Sequence, residues 1–284
     1  MTSGCPFKGA HLRRPHEHRH PGYFSCQCHP CGTLAIYHYC VSSDHVLTAT
    51  LAVIDVETTG LSPEYDRVVE IACLRVERGR IVDRLATLVD PGISIPPSAS
   101  AVHGIFNRDV ADAPRLESLV ARIDELARGA TIVAHNARFD LGFLPFLAHR
   151  PAICTLQLAR RLVDAPNYRN DFLCDFLELA IDRDLLTAHR AESDARVTAE
   201  LATKLFGNFA EHTHEPTIEV VLDFLDRPMI LDQFAFGSYR GVRLCDVPTS
   251  YLQWIVSADF AGWPDVRHSA TIELARRRTA FSVR

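Results

Sequence analysis

Residues 51–61 read Leu-Ala-Val-Ile-Asp-Val-Glu-Thr-Thr-Gly-Leu, and no other stretch constrains the fold as much. The apolar run 51–56 has the length of a buried strand. Asp55 and Glu57, two residues apart on that strand, fall on one side of the sheet. Thr58-Thr59-Gly60 then lets the backbone turn. Two carboxylates this close repel and raise each other's pKa. A divalent cation removes the conflict, and hard oxygen ligands suit Mg²⁺ or Mn²⁺. An isolated Asp-x-Glu is as readily a turn cap beside a solvated acid, so the rest of the chain must decide.

Two more acids follow structural signals. Residues 132–140, Ile-Val-Ala-His-Asn-Ala-Arg-Phe-Asp, place Asp140 one helical turn beyond a strand end, with Asn136 where a helix cap would stand. Residues 189–195, His-Arg-Ala-Glu-Ser-Asp-Ala, place Asp194 five residues after His189 at the start of a helix. Taken singly, each is a first-turn acid favoured by the helix dipole. Glu192 on the same helix reads as solvent-facing.

The surrounding pattern is that of a mixed α/β domain. Residues 68–76 and 81–89 are β-rich runs joined by the turn 77–80, and 131–134 and Ile153 supply two further strands. Apolar residues at helical spacing mark 114–128, 137–148, 156–163, 172–181 and 192–206. Strands that first pair as a meander and then alternate with helices imply a mixed sheet with helices on its faces. The polar residues 211–216 read as a linker. In the smaller unit beyond it, 217–225, 250–256 and 266–278 read as helices and 235–244 as a hairpin around Arg240-Gly241.

Composition excludes several classes. The chain of 284 residues has no run approaching the ~18 apolar residues of a membrane span. Its polar N-terminus lacks the apolar segment of a signal peptide. Nine cysteines, odd in number and spread along the chain, are not a secreted disulfide framework, so a soluble, cytoplasmic protein is expected. Net charge is −5, but residues 49–227 hold 28 acidic and 19 basic side chains, while both flanks are net +2. An acidic middle repels phosphate unless cations neutralise some carboxylates.

The three motifs in this order, Asp55-Val56-Glu57-Thr58-Thr59-Gly60-Leu61, His135-Asn136-x-x-Phe139-Asp140 and His189-x-x-x-x-Asp194, resemble the DnaQ-like 3′→5′ exonucleases of the DEDDh group. Val102-His103-Gly104-Ile105 matches a further segment common in that family, and the resemblance covers roughly residues 51–206. It implies an RNase H-like α/β fold with a five-stranded mixed sheet flanked by helices. It also implies Asp55, Glu57, Asp140 and Asp194 as ligands of two divalent cations, Mg²⁺ or Mn²⁺. Two such ions roughly 4 Å apart would clamp a terminal phosphodiester. His189 is the implied general base, since an imidazole with its ordinary pKa of about 6.5 takes up a proton near neutral pH. Thr58, Gly60, Leu61, His103 and Asn136 become the expected substrate contacts. Turn chemistry, a core leucine, a buried histidine and a helix cap are their plainer readings. The implied partner is DNA at its 3′ ends, or RNA, with nucleoside 5′-monophosphates as products and neither membrane nor nucleotide cofactor involved.

Residues 153–162 resemble the exonuclease X branch, with Cys154 where most family members carry an aspartate. Phe236-Gly237-Ser238-Tyr239-Arg240-Gly241, Tyr251-Leu252-x-Trp254 and Arg276-Arg277-Arg278 resemble the small C-terminal α+β module of that branch, where a basic residue usually stands in place of Ser238. Arg240, Arg243 and the arginine triplet offer positive charge and Tyr239 a stacking ring. The plainer reading puts Tyr239 and Trp254 in a small core above a solvated arginine helix end. The expected organisation is a Cys/His-rich extension over 1–48, an exonuclease domain over 49–211 and a small module over 217–284. The extension holds seven histidines and five cysteines without regular zinc-finger spacing. It reads as a degenerate zinc site, a disordered tail or the product of a misassigned start, since a start near Val46 keeps every motif. A DNA exonuclease is the leading expectation. An RNA or oligonucleotide exonuclease, or a polymerase proofreading subunit, is the enzymatic alternative. A nucleic-acid-binding module on a dead nuclease fold is the third reading, and the complete set of four acids with His189 speaks against it.

Overall fold

The computed structural model describes residues 44–182, 187, 189–234, 236–257 and 264–281, so readings of residues 1–43 lie outside the described residues. A five-stranded sheet runs in the order β3-β2-β1-β4-β5. β1 (Thr50–Thr58), β2 (Val68–Glu77) and β3 (Arg80–Leu88) form an antiparallel meander. β4 (Thr131–Ala134) and β5 (Ala152–Cys154) continue the sheet parallel to β1 on its other side. β1 is the central strand and is covered on both faces, which is why residues 51–54 are apolar without alternation and at most 4% exposed. Arg78 and Gly79 both take positive φ, 52° and 72°, the requirement of the tight two-residue hairpin joining β2 to β3. β3 is largely exposed and carries Arg80, Asp83 and Arg84, charges that blunt a sheet edge.

Helices cover both faces. α1 (Pro97–His103) and α2 (Leu116–Leu126) follow the meander, and α3 (Ala137–Phe143) follows β4. α4 (Thr155–Leu162), α5 (Asn170–Phe176) and the 21-residue α6 (Ala191–Glu211) complete this part of the chain. Ile54, Ile71, Ile123, Leu126, Ile132, Leu144 and Leu147 make the core between sheet and helices. α6 buries Leu201, Ala202, Leu205, Phe206 and Phe209. Asp44 to Val46 belong to the same body: Val46 is 2% exposed, its N–H donates to the Pro216 carbonyl at 2.9 Å, and the Asp44 carbonyl accepts from Ile218 N–H at 3.1 Å.

Three helices differ from their periodicity. α3 stops at Phe143 instead of running to 148, because Leu144 (φ −121°, ψ 61°) leaves the helical region and Pro145, without an N–H, opens a separate 3₁₀ turn. α5 ends at Phe176 instead of 181, and Glu178 takes φ 51°. α1 has no counterpart in the sequence reading; Pro97 at its first turn and Gly104 (φ 71°) at its C-terminus delimit it.

The chain divides into two compact units between Leu222 and Asp223, inside α7 (Ile218–Asp226). The second unit contains α8 (Thr249–Ser257) and α9 (Pro264–Phe281) around Phe234, Leu244, Val247, Leu252, Ile255, Val266 and Ala270. The chain reverses at Arg240-Gly241 and pairs 232–234 with 241–244: Phe234 N–H donates to the Val242 carbonyl at 2.8 Å, Gly241 N–H to the Phe234 carbonyl at 2.8 Å and Leu244 N–H to the Asp232 carbonyl at 2.9 Å. Gly237–Tyr239 and Leu244–Asp246 form 3₁₀ turns, and a single antiparallel bridge joins Gln233 to Arg243. Gly237 (63°) and Gly241 (80°) take the positive φ that this reversal uses. Trp254 is 49% exposed and packs on Tyr251 at 5.3 Å between ring centroids, so it lies outside the small core, whereas Tyr239 packs against that core. Two of the three consecutive arginines are spent internally. Arg276 and Arg277 both pair with Glu273, and Arg277 also donates to the carbonyls of Leu244, Cys245 and Val247. Among the described residues no helix is long and apolar enough to cross a membrane.

Candidate active site

β1 delivers the first two acids. Asp55 and Glu57 share a face of the strand, and the register with β2 slips between Glu57 and Thr58. Such a bulge re-aims side chains at the end of a strand. The turn beyond is held by its own side chains. Thr58 Oγ1 donates to the Gly60 carbonyl at 2.6 Å, and Asp66 accepts from Thr59 Oγ1 and Ser62 N–H. A Cβ on Gly60 would stand 2.5 Å from the Asp66 carboxylate oxygens, so glycine is needed here for the turn itself. Leu61, carried by that turn, is 84% exposed and is no core leucine.

The other acids come from two helix starts. Asp140, in the first turn of α3 and 3% exposed, reaches β1 and accepts from the Val56 N–H, between the two β1 acids, at 3.2 Å. Asp194 sits in the first turn of α6, and His189 precedes that helix with φ 56°. One ligand atom each from Glu57, His189 and Asp194 lie within 4.8 Å of one another. That is a donor set of the chemistry and spacing that holds a divalent cation. Asp55 and Asp140 stand outside this trio; Asp140 raises Glu57, and Asp194 and Glu57 raise Asp55.

The electrostatics report the strain of the cluster. Burial, then Asp140, Asp194 and Glu57, hold the Asp55 carboxyl well above the carboxylate range. Burial, then Asp194 and Glu70, push Glu57 up to about 7. Burial raises Asp140 to about 7, and it raises Asp194 to about 6 against the opposing pull of His189. Four carboxyls that resist ionisation beside one another suit a site whose charge is completed by cations.

The remaining predicted contacts fall in different places. His103 is 4% exposed; its Nδ1 accepts from Ile105 N–H at 3.0 Å, which assigns the proton to Nε2, on the side of the Thr58 backbone. Burial lowers its pKa, against the opposing effect of the bond to the Thr58 backbone. Asn136 precedes α3 with φ 75°, exposed, and makes no side-chain cap bond. His135 is an anchor, bonded through Nδ1 to Thr155 Oγ1 and through Nε2 to the Tyr168 carbonyl, both at 2.9 Å. Glu192 pairs with Arg84 and Arg196 at the surface. Arg240 is exposed in the second unit.

Sequence reasoning missed Glu70 and Arg190. Glu70 lies directly across from Glu57 in the β1–β2 register, is 6% exposed, and accepts from Arg190 and from the Ala191 N–H. A glutamate inside an otherwise apolar strand run was the available signal.

The chain is similar to known exonucleases. The RNase T family, described as "Exonuclease", matches residues 52–202. Residues 227–275 are similar to a second family, described as "Putative quorum-sensing-regulated virulence factor". Exodeoxyribonuclease 10 of Escherichia coli K12 is 35% identical over 221 residues, covering 76% of this chain and 95% of that protein. A PolC-type DNA polymerase III of Caldanaerobacter subterraneus is 37% identical over 177 residues, 60% of this chain but 12% of the polymerase. A solved structure of exonuclease X in complex with 5′ overhanging duplex DNA is 35% identical, covers 60% of this chain and 99% of its own, and superposes with a TM-score of 0.49.

Proposed function

The chain belongs to the DnaQ-like 3′→5′ exonuclease family, and from that premise we propose that it removes nucleotides one at a time from the 3′ ends of DNA as 5′-monophosphates. The observation that carries this reading is the meeting of Glu57, His189 and Asp194 from a strand end, a loop and a helix start within 4.8 Å. The similarity to a protein named for deoxyribonucleic acid over three quarters of the chain supports DNA as the substrate.

Asp55, Glu57, Asp140 and Asp194 are the residues that would hold two divalent cations. When bound, those ions supply the positive charge that offsets both the acids and the charge developing on the phosphate oxygens. The exposed His189, held beside Asp194 and Glu57, takes the proton of the attacking water. Leu61 offers an exposed apolar surface to the terminal base. His103, whose ring bonds the backbone of Thr58 at the end of β1, is the residue that would contact the terminal sugar.

The test is hydrolysis of 3′-labelled single- and double-stranded DNA, and of RNA, with Mg²⁺, Mn²⁺ or EDTA. Release of labelled mononucleotide from DNA, abolished by EDTA and by Asp194→Ala, is expected. Undiminished turnover in folded Asp194→Ala protein would overturn the ligand assignment, and faster cleavage of RNA would overturn the substrate.

A further inference from the structure

The acids and His189 do not stand on one rigid element. Asp55 and Glu57 ride on the central strand, whereas His189 and Asp194 ride on the start of α6, so something must fix the second pair against the first. The backbone of His189 is in the left-handed region, which costs a non-glycine residue energy and persists only where neighbouring contacts impose it. Two ties bracket it. On one side Thr187 N–H donates to Ser193 Oγ at 2.9 Å. On the other, the Glu70 carboxylate accepts Arg190 Nε at 3.0 Å on each oxygen, Arg190 Nη2 at 2.6 Å and the Ala191 N–H at 2.9 Å.

This second tie is stronger and oddly placed. A bidentate guanidinium–carboxylate pair fixes angle as well as distance. The bond to Ala191 N–H satisfies one of the orphan donors at the N-terminus of a 21-residue helix, where Arg190 itself supplies no side-chain cap. Yet Glu70 is a fifth carboxylate on a face already crowded with them, paired directly across from Glu57. Like charges facing each other across a sheet are unfavourable. A glutamate in that position is accounted for by what it holds.

We propose that Glu70 is a positioning residue, whose carboxylate clamps Arg190 and the first turn of α6 and thereby sets His189 and Asp194 against Glu57. The proposal rests on the nuclease reading for its consequence in turnover, but its geometric claim concerns the placing of His189 and Asp194 against Glu57 alone.

Charge and geometry separate in a double variant. Glu70→Gln removes one negative charge and Arg190→Gln one positive charge, so the pair together leaves the local net charge unchanged while the clamp is lost. Mn²⁺ is titrated calorimetrically into the DNA-free full chain, and kcat and KM are measured on 3′-labelled DNA. The expected result is Mn²⁺ affinity lowered at least threefold and kcat lowered at least tenfold with KM within twofold. The single variants extend the test: a clamp predicts weaker Mn²⁺ binding for both Glu70→Gln and Arg190→Gln. A purely electrostatic role predicts weaker binding for the first and tighter binding for the second. Opposite signs in the singles, or wild-type Mn²⁺ affinity and kcat in a folded double variant, overturn the proposal. Wild-type protein that neither binds Mn²⁺ nor cleaves DNA would instead overturn the function proposed above.

Discussion

Replacing Asp140 by asparagine should stabilise the metal-free protein while it removes hydrolysis. Asp140 is 3% exposed, and burial raises its carboxyl to about 7. A carboxyl raised in the fold contributes stability that is fully present below its unfolded pKa near 3.9 and is lost as pH rises through about 7. At pH 8 the ionised group costs the fold up to about 4 kcal/mol, at about 1.36 kcal/mol for each pH unit between the two values. Neighbouring acids that exchange protons with it bring the expected gain of the variant down to about 2–3 kcal/mol. Asparagine keeps an oxygen to accept the Val56 N–H, and its amide nitrogen has acceptors in the surrounding carboxylates. In a domain of this size that gain raises the melting temperature by roughly 5–10 °C. Thermal melts in EDTA read it directly: full effect at pH 8, less than half at pH 5. Added Mg²⁺ should reverse the order, because the wild type alone keeps its complete ligand set. A lower melting temperature for Asp140→Asn at pH 8 in EDTA, or a gain as large at pH 5, would refute the reasoning.

Other outcomes follow from single side chains. His189→Ala should lower kcat at least a hundredfold, as loss of a general base does, with DNA binding in Ca²⁺ unchanged by fluorescence anisotropy. Leu61→Ala, at a position 84% exposed, should shift stability by less than about 0.5 kcal/mol yet raise KM severalfold on DNA; an unchanged KM would remove Leu61 from the substrate surface. Arg277→Ala leaves Glu273 only its Arg276 partner and strands three carbonyls, and should destabilise the second unit by about 1–3 kcal/mol in denaturant unfolding.

Much of the fold was legible because burial dictated it. The central strand had to be apolar on both faces, and the meander carried Arg78-Gly79, a pair suited to positive φ. The acids were legible because each sits where a strand ends or a helix begins, and those boundaries carry signals. What escaped is what periodicity cannot register. α1 has seven residues, too few to show a helical repeat. The reversal around Arg240-Gly241 is present, but the 3₁₀ turn Gly237–Tyr239 within it carries no period that a sequence displays. Glu70 was hidden because its partners, Arg190 and Ala191, lie 120 residues or more away, and only the pairing of β2 with β1 brings it beside Glu57.

The same raised carboxyls also fix how cation binding must depend on pH. Glu57 and Asp140 are both held at about 7, so at pH 8 each is mostly ionised and at pH 6 each is mostly protonated. An ion entering at pH 6 must displace about two protons from Glu57 and Asp140, each costing roughly a factor of ten, whereas at pH 8 it displaces almost none from that pair. Apparent Mg²⁺ or Mn²⁺ affinity should therefore fall on the order of a hundredfold from pH 8 to pH 6, with Asp194, at about 6, adding a smaller factor. Calorimetric titrations in buffers of different ionisation enthalpy count the released protons independently of affinity. About two more protons released at pH 6 than at pH 8 is the expected difference. Equal proton release at the two pH values would mean that the ligands are ionised before the ion arrives, and the crowded acids would then not be what makes the site wait for its cations.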